Sequence, residues 1–187
     1  MTLESVLAKR RATYQKRLSK YVKYVMNDHF VIAMLFLIGA VAFQYSNFIK
    51  ALPTDFIWGK LAASFLLAGV VFFGKIATMA SAADQVFLVT EEEGWQQVIK
   101  DAKKRSMVLP GLLLLFLVAV AMPVVYVGQT FSGADIAVLF IIGLVLKWAH
   151  LGLEEAALRF GTRGKIKHLK WYLFGVGVMS FLGAFFV

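Results

Sequence analysis

The sequence predicts an all-α, polytopic helical membrane protein, with an N-terminal basic amphipathic interfacial helix followed by about five transmembrane helices. Three observations carry that expectation. Hydrophobic residues make up 60% of the 187 and charged residues only 17%, where soluble domains run at roughly 45–50% apolar and about 25% charged. The apolar residues fall in blocks, each long enough to cross a bilayer. The bases gather between alternate blocks, as they do in loops retained on the cytoplasmic side.

Composition also excludes chemistry. Cysteine is absent, which removes disulfide frameworks, thiolate nucleophiles and cysteine-based zinc or iron–sulfur sites. A net charge of +9 in so apolar a chain points to anionic lipid as its counter-surface, and away from nucleic acid. The leading residues are too many and too charged for a signal-peptide n-region.

Residues 1–26 form the expected cytoplasmic interfacial helix. Lys9, Arg10, Arg11, Lys16, Arg17, Lys20 and Lys23 stand against one acid, Glu4. Leu3, Leu7, Tyr14, Leu18, Tyr21, Val22 and Val25 recur near helical spacing, which places an apolar stripe in the acyl boundary and bases at the headgroups. Asn27-Asp28-His29 then meets the membrane edge, where Asn and Asp are good N-caps. Residues 27–80 hold the first two spans, Phe30 to Phe48 and Ile57 to Met79, around a turn containing Pro53. Lys60 and Lys75 lie near the ends of the second span, where long side chains snorkel.

Residues 81–106 form a polar insert expected on the cytoplasmic side. A mere connection needs about 2–8 residues, so this one is long enough for one or two short helices and for docking. Its acids come first and its bases last, around the patch Val86-Phe87-Leu88-Val89. Asp84 beside Val86, Phe87 and Leu88, with Glu91 after them, suits a groove in a soluble partner: the knob supplies burial and the acid supplies register. The competing reading is an interfacial segment packed on its own bundle.

Residues 107–158 hold the third and fourth spans, Met107 to Gly128 and Ile136 to Leu158, with Pro110 expected in a first turn and Pro123 at a kink. Residues 159–170 form a second basic loop, with Arg159, Arg163, Lys165, Lys167 and Lys170. Residues 171–187 are the fifth span, and the bare end at Val187 favours a fragment or a half-size subunit. Alternate sides differ roughly eightfold in bases, which puts the amino terminus and both long loops in the cytoplasm of a multi-pass plasma-membrane protein.

Lys147, His150 and Glu154 share one face of the fourth span by their spacing. Ionisable residues at membrane depth face a protein interior or water, so they read either as a polar pathway for protons or substrate, or as an intrahelical Lys–Glu network. A metal site is not expected, because His150 and Glu154 lack an obvious third ligand. No H-E-x-x-H, G-x-S-x-G or Walker-type phosphate loop occurs, so neither catalysis nor ATP hydrolysis is expected on this chain.

Two stretches carry a family resemblance. Tyr24-Val25-Met26-Asn27-Asp28-His29-Phe30-Val31 resembles the N-D-H entry of EcsB-type ABC transporter permeases. Ala82-Ala83-Asp84-Gln85-Val86-Phe87-Leu88 resembles that family's E-A-D-x-V-F-L-L-P segment, with Ala82 in place of its Glu. Order and spacing match, as does the turn from Tyr45 to Pro53; the resemblance covers about Lys20 to Arg105 well, and the later spans in hydropathy. It implies a permease subunit without a cofactor of its own, ATP being bound by an EcsA-like ATPase partner on the cytoplasmic loops. It further implies export of peptides or other amphiphiles, links to secretion, intramembrane proteolysis and competence in Gram-positive bacteria, and assembly with further permease spans or a second copy. Two other classes stay open: a proton-coupled carrier built on Lys147, His150 and Glu154, and a non-transporting scaffold regulating secretion or a membrane protease.

Overall fold

The computed structural model describes residues 3–54, 56–78, 80, 92–127, 129–160 and 163–186. Among them every regular element is helical: α1 (Leu3–Val25), α2 (Asp28–Lys50), α3 (Ile57–Val71), α4 (Glu92–Val125), α5 (Gly133–Phe160) and α6 (Arg163–Ala184). The all-α polytopic reading is thus met. Three stretches, Asp28–Lys50, Gly94–Val125 and Gly133–Arg159, are long and apolar enough to cross a membrane, and Ile57–Val71 is a shorter apolar helix. The chain divides into two compact units, Met1–Ala51 with Thr78–Lys100, and Leu52–Ala77 with Asp101–Val187.

In the first unit, α1 and α2 are separated by Met26 and Asn27 alone. The Asn27 side chain accepts a hydrogen bond from the Asp28 amide at 2.7 Å, and Asp28 adds an acid to the first turn, where the helix dipole favours negative charge. None of the described α2 residues is buried. On α1, Tyr14, Leu18, Tyr21, Val22 and Val25 all stand exposed, along with the bases between them.

The second unit is a bundle. α3 packs on α5 and α6, and α5 packs on α6. Its core joins Leu67, Ala68 and Val71 of α3 to Leu114, Val118 and Met122 of α4, Leu139 and Leu146 of α5, and Val178 and Phe181 of α6. Gly143 lets α4 and α5 approach: a Cβ there would collide with the Leu114 side chain.

Three helix limits differ from those read in the sequence. The second span stops being helical at Val71, eight residues before Met79, because Gly74 adopts φ +85°, a backbone state that ends a right-handed helix and suits only glycine readily. α4 begins inside the polar insert and runs unbroken for 34 residues, so Pro110 lies in its interior and not in a first turn. Pro110 has no amide to return to the Ser106 carbonyl one turn back, and the Ser106 hydroxyl accepts from the Ala77 amide at 3.3 Å. Most of the second basic loop is also helix, since α6 starts at Arg163. Polar residues extended these helices because bases and acids placed three or four apart are good helix formers outside the apolar zone.

Candidate functional site

The fifteen residues of α3 span only about 22 Å at 1.5 Å per residue, against roughly 30 Å of hydrocarbon. Its last turn tightens: the Phe72 amide donates to the Gly69 carbonyl at 3.1 Å and the Phe73 amide to the Val70 carbonyl at 3.0 Å. That leaves the carbonyls beyond without helical donors, a state that costs several kcal/mol per group in a dry interior. Lys147 of α5 answers them. Its Nζ donates to the Val71 carbonyl at 2.8 Å and to the Phe73 carbonyl at 2.7 Å, and the residue is 2% exposed.

His150 lies one turn further along α5. It is buried, its Nδ1 has no hydrogen-bond partner among the described residues, and its ring lies 4.8 Å from that of Phe72 at 59°. Phe72 in turn meets Phe174 of α6 edge-on at 5.5 Å. The break in α3 is therefore gripped from two sides, by an ammonium on its carbonyls and by aromatic rings on Phe72.

Glu154 does not pair with Lys147. It pairs with Lys170 of α6, so the intrahelical network expected between them is replaced by links between helices. Glu155 accepts from Lys103 of α4 at 3.1 Å and from Arg159 at 2.6 Å. Lys103 also stands 4.3 Å from the centre of the Trp148 ring, a cation–π contact. These ion pairs tie α4, α5 and α6 together at one end of the bundle.

Lys60 does not snorkel. Its Nζ donates to the Phe185 carbonyl at 3.0 Å, just past the end of α6, and sits 4.5 Å from the Phe186 ring. A helix start was also missed in the sequence. Ser132 accepts from the Ala134 amide at 3.2 Å while Asp135 accepts from the Ser132 amide at 2.7 Å, the reciprocal capping box whose signature S-x-x-D was readable.

Of the residues singled out in sequence, Asn27, Asp28 and His29 lie at the α1–α2 junction, and Lys147, His150 and Glu154 share α5. Asp84, Val86, Phe87, Leu88 and Glu91 lie outside the described residues. Among the described residues, no group of three or more His, Cys, Asp or Glu side chains could hold a metal ion.

Long apolar helices, ionic links confined to one end of a bundle, and a lysine closing a broken span define a multi-pass helical membrane protein. The chain belongs to the EcsB family, whose description, Bacterial ABC transporter protein EcsB, matches residues 4–187. The resemblance read at two motifs thus extends through the later helices. Protein EcsB of Bacillus subtilis (strain 168) is 33% identical over 135 residues, covering 71% of this chain and 32% of the relative. The aligned stretch is therefore about a third of that relative's length. No solved structure matches the chain.

Proposed function

We propose that this chain forms part of the membrane subunit of an ABC exporter, in which a separate EcsA-like ATPase drives passage of peptides or other amphiphilic substrates. Membership of a bacterial ABC transporter family carries this reading. The lack of a phosphate-binding loop in this sequence supports ATP hydrolysis by a separate subunit. Asp84, Val86, Phe87, Leu88 and Glu91 are the proposed contacts to that ATPase, on a cytoplasmic insert. The helix that follows them, α4, is continuous from Glu92 to Val125, which supports its use as a rod carrying movement from the insert into the bundle.

The test is co-purification. Replacing Asp84 and Phe87 together by Ala is expected to reduce recovery of the ATPase with this subunit by about tenfold or more, as loss of a central acid and aromatic does at other interfaces, while membrane insertion is unchanged. Undiminished recovery removes the docking assignment. A regulatory scaffold would keep its partner yet show no ATP-dependent transport in vesicles.

A further inference from the structure

Among the described residues, no carboxylate forms an ion pair with Lys147. The three acids on its own helix are engaged elsewhere, Asp135 with the Ser132 amide, Glu154 with Lys170 and Glu155 with Lys103 and Arg159. Its ammonium instead faces two backbone oxygens at the carboxyl end of α3, where the helix dipole concentrates negative partial charge. Around it lie Val70, Pro110, Leu114 and Gly143, an apolar sleeve for the four-carbon stem. The same arrangement recurs elsewhere in this bundle, where Lys60 of α3 serves the end of α6 through the Phe185 carbonyl.

We propose that the Val71 and Phe73 carbonyls form a binding site for a primary ammonium, occupied by Lys147 as a tethered ligand, and that Lys147 is the positioning residue that keeps the second span broken at Gly74. Three features fit this assignment. The Phe72 and Phe73 amides close the last turn on Gly69 and Val70, and no backbone amide among the described residues donates to the Val71 or Phe73 carbonyl. Gly74 at φ +85° prevents α3 from continuing and satisfying them itself. An ammonium offers three donors and a positive charge, whereas a neutral side chain of that length offers neither. In transporters built on interrupted spans, such carbonyl ends hold a free coupling cation. Here the protein supplies its own, so the break is closed without an ion from solution. This inference stands apart from the ATPase-docking reading, because its test requires no ATPase.

The experiment uses the full chain in detergent or nanodiscs, as Lys147→Ala and Lys147→Met. Two quantities are followed: amide exchange across residues 72–78, and the thermal midpoint. Both variants are expected to raise exchange in that segment about tenfold or more relative to the rest of the bundle. In Lys147→Ala, propylammonium or butylammonium should restore the slow exchange and the midpoint, while tetramethylammonium at equal ionic strength should not, since it has no N–H to donate. Lys147→Met should resist rescue, because its side chain fills the sleeve. Recovery of folded Lys147→Ala only in the presence of a primary amine also supports the site. Unchanged exchange over 72–78, an increase spread evenly over the bundle, equal rescue by tetramethylammonium, or failure of both variants with every amine overturns it.

Discussion

Lysines and glutamates in the spans of this chain act by what they neutralise. Glu155 accepts two donors from two helices while mostly withdrawn from solvent, its side chain 18% exposed and that of Lys103 11%. Glu155→Gln should therefore destabilise the bundle by about 1–3 kcal/mol, the range for leaving a part-buried charged donor without its partner. Thermal unfolding of the solubilised protein measures it, and Lys103→Met combined with Glu155→Gln should lose less than the sum of the two. At the start of α5, Ser132→Ala should cost about 1 kcal/mol through the lost cap. Gly143→Ala should cost about 1–3 kcal/mol, because its methyl meets Leu114 in a packed seam. The caps at Asn27 and Ser132 were legible in sequence, since side-chain capping leaves a residue signature. The partner of Lys147 was not, because a backbone carbonyl belongs to every residue type and leaves none.

Among the elements, α3 and α4 depart most from what hydropathy alone describes. Hydropathy counts apolar residues and found a span from Ile57 to Met79, but it assigns no φ angle, and one glycine at +85° divides the stretch. The reverse holds for α4, where polar residues from Glu92 to Arg105 read as part of an insert with room for short helices of its own, although their spacing propagates one helix into the apolar segment. If α4 carries force as a rod, Asp101→Pro should remove one backbone hydrogen bond and break it, at about 3 kcal/mol. Retained ATPase recovery with loss of ATP-dependent transport is the expected result; full transport would show that continuity of α4 is dispensable. With no buried residue described, α2 has the surface of a helix solvated by lipid.

For the molecule as a whole, charge sets the orientation to be tested. Native cysteines are absent, so single replacements report topology cleanly. Gln15→Cys and Lys167→Cys should react with membrane-impermeant maleimide only when the cytoplasmic face is opened, and Thr54→Cys and Thr130→Cys from the outside of intact cells. The opposite pattern would place the proposed docking insert on the wrong side and end that mechanism. An environment-sensitive fluorophore on Tyr14→Cys should sense acyl chains in anionic nanodiscs more than in zwitterionic ones. The difference should shrink as salt rises, since headgroup attraction is screened within about 8 Å at physiological ionic strength.

The number and character of the apolar segments, the basic first helix, the cap at Asn27 and the family itself were all determined by the order of residues, because burial in lipid and side-chain capping each act through residue type. Where α3 breaks, which oxygens receive Lys147, and which helices Glu154 and Glu155 join were decided only by tertiary structure. Those contacts pair groups as far as 76 residues apart, Lys147 with Val71, and local spacing carries no record of so distant a neighbour.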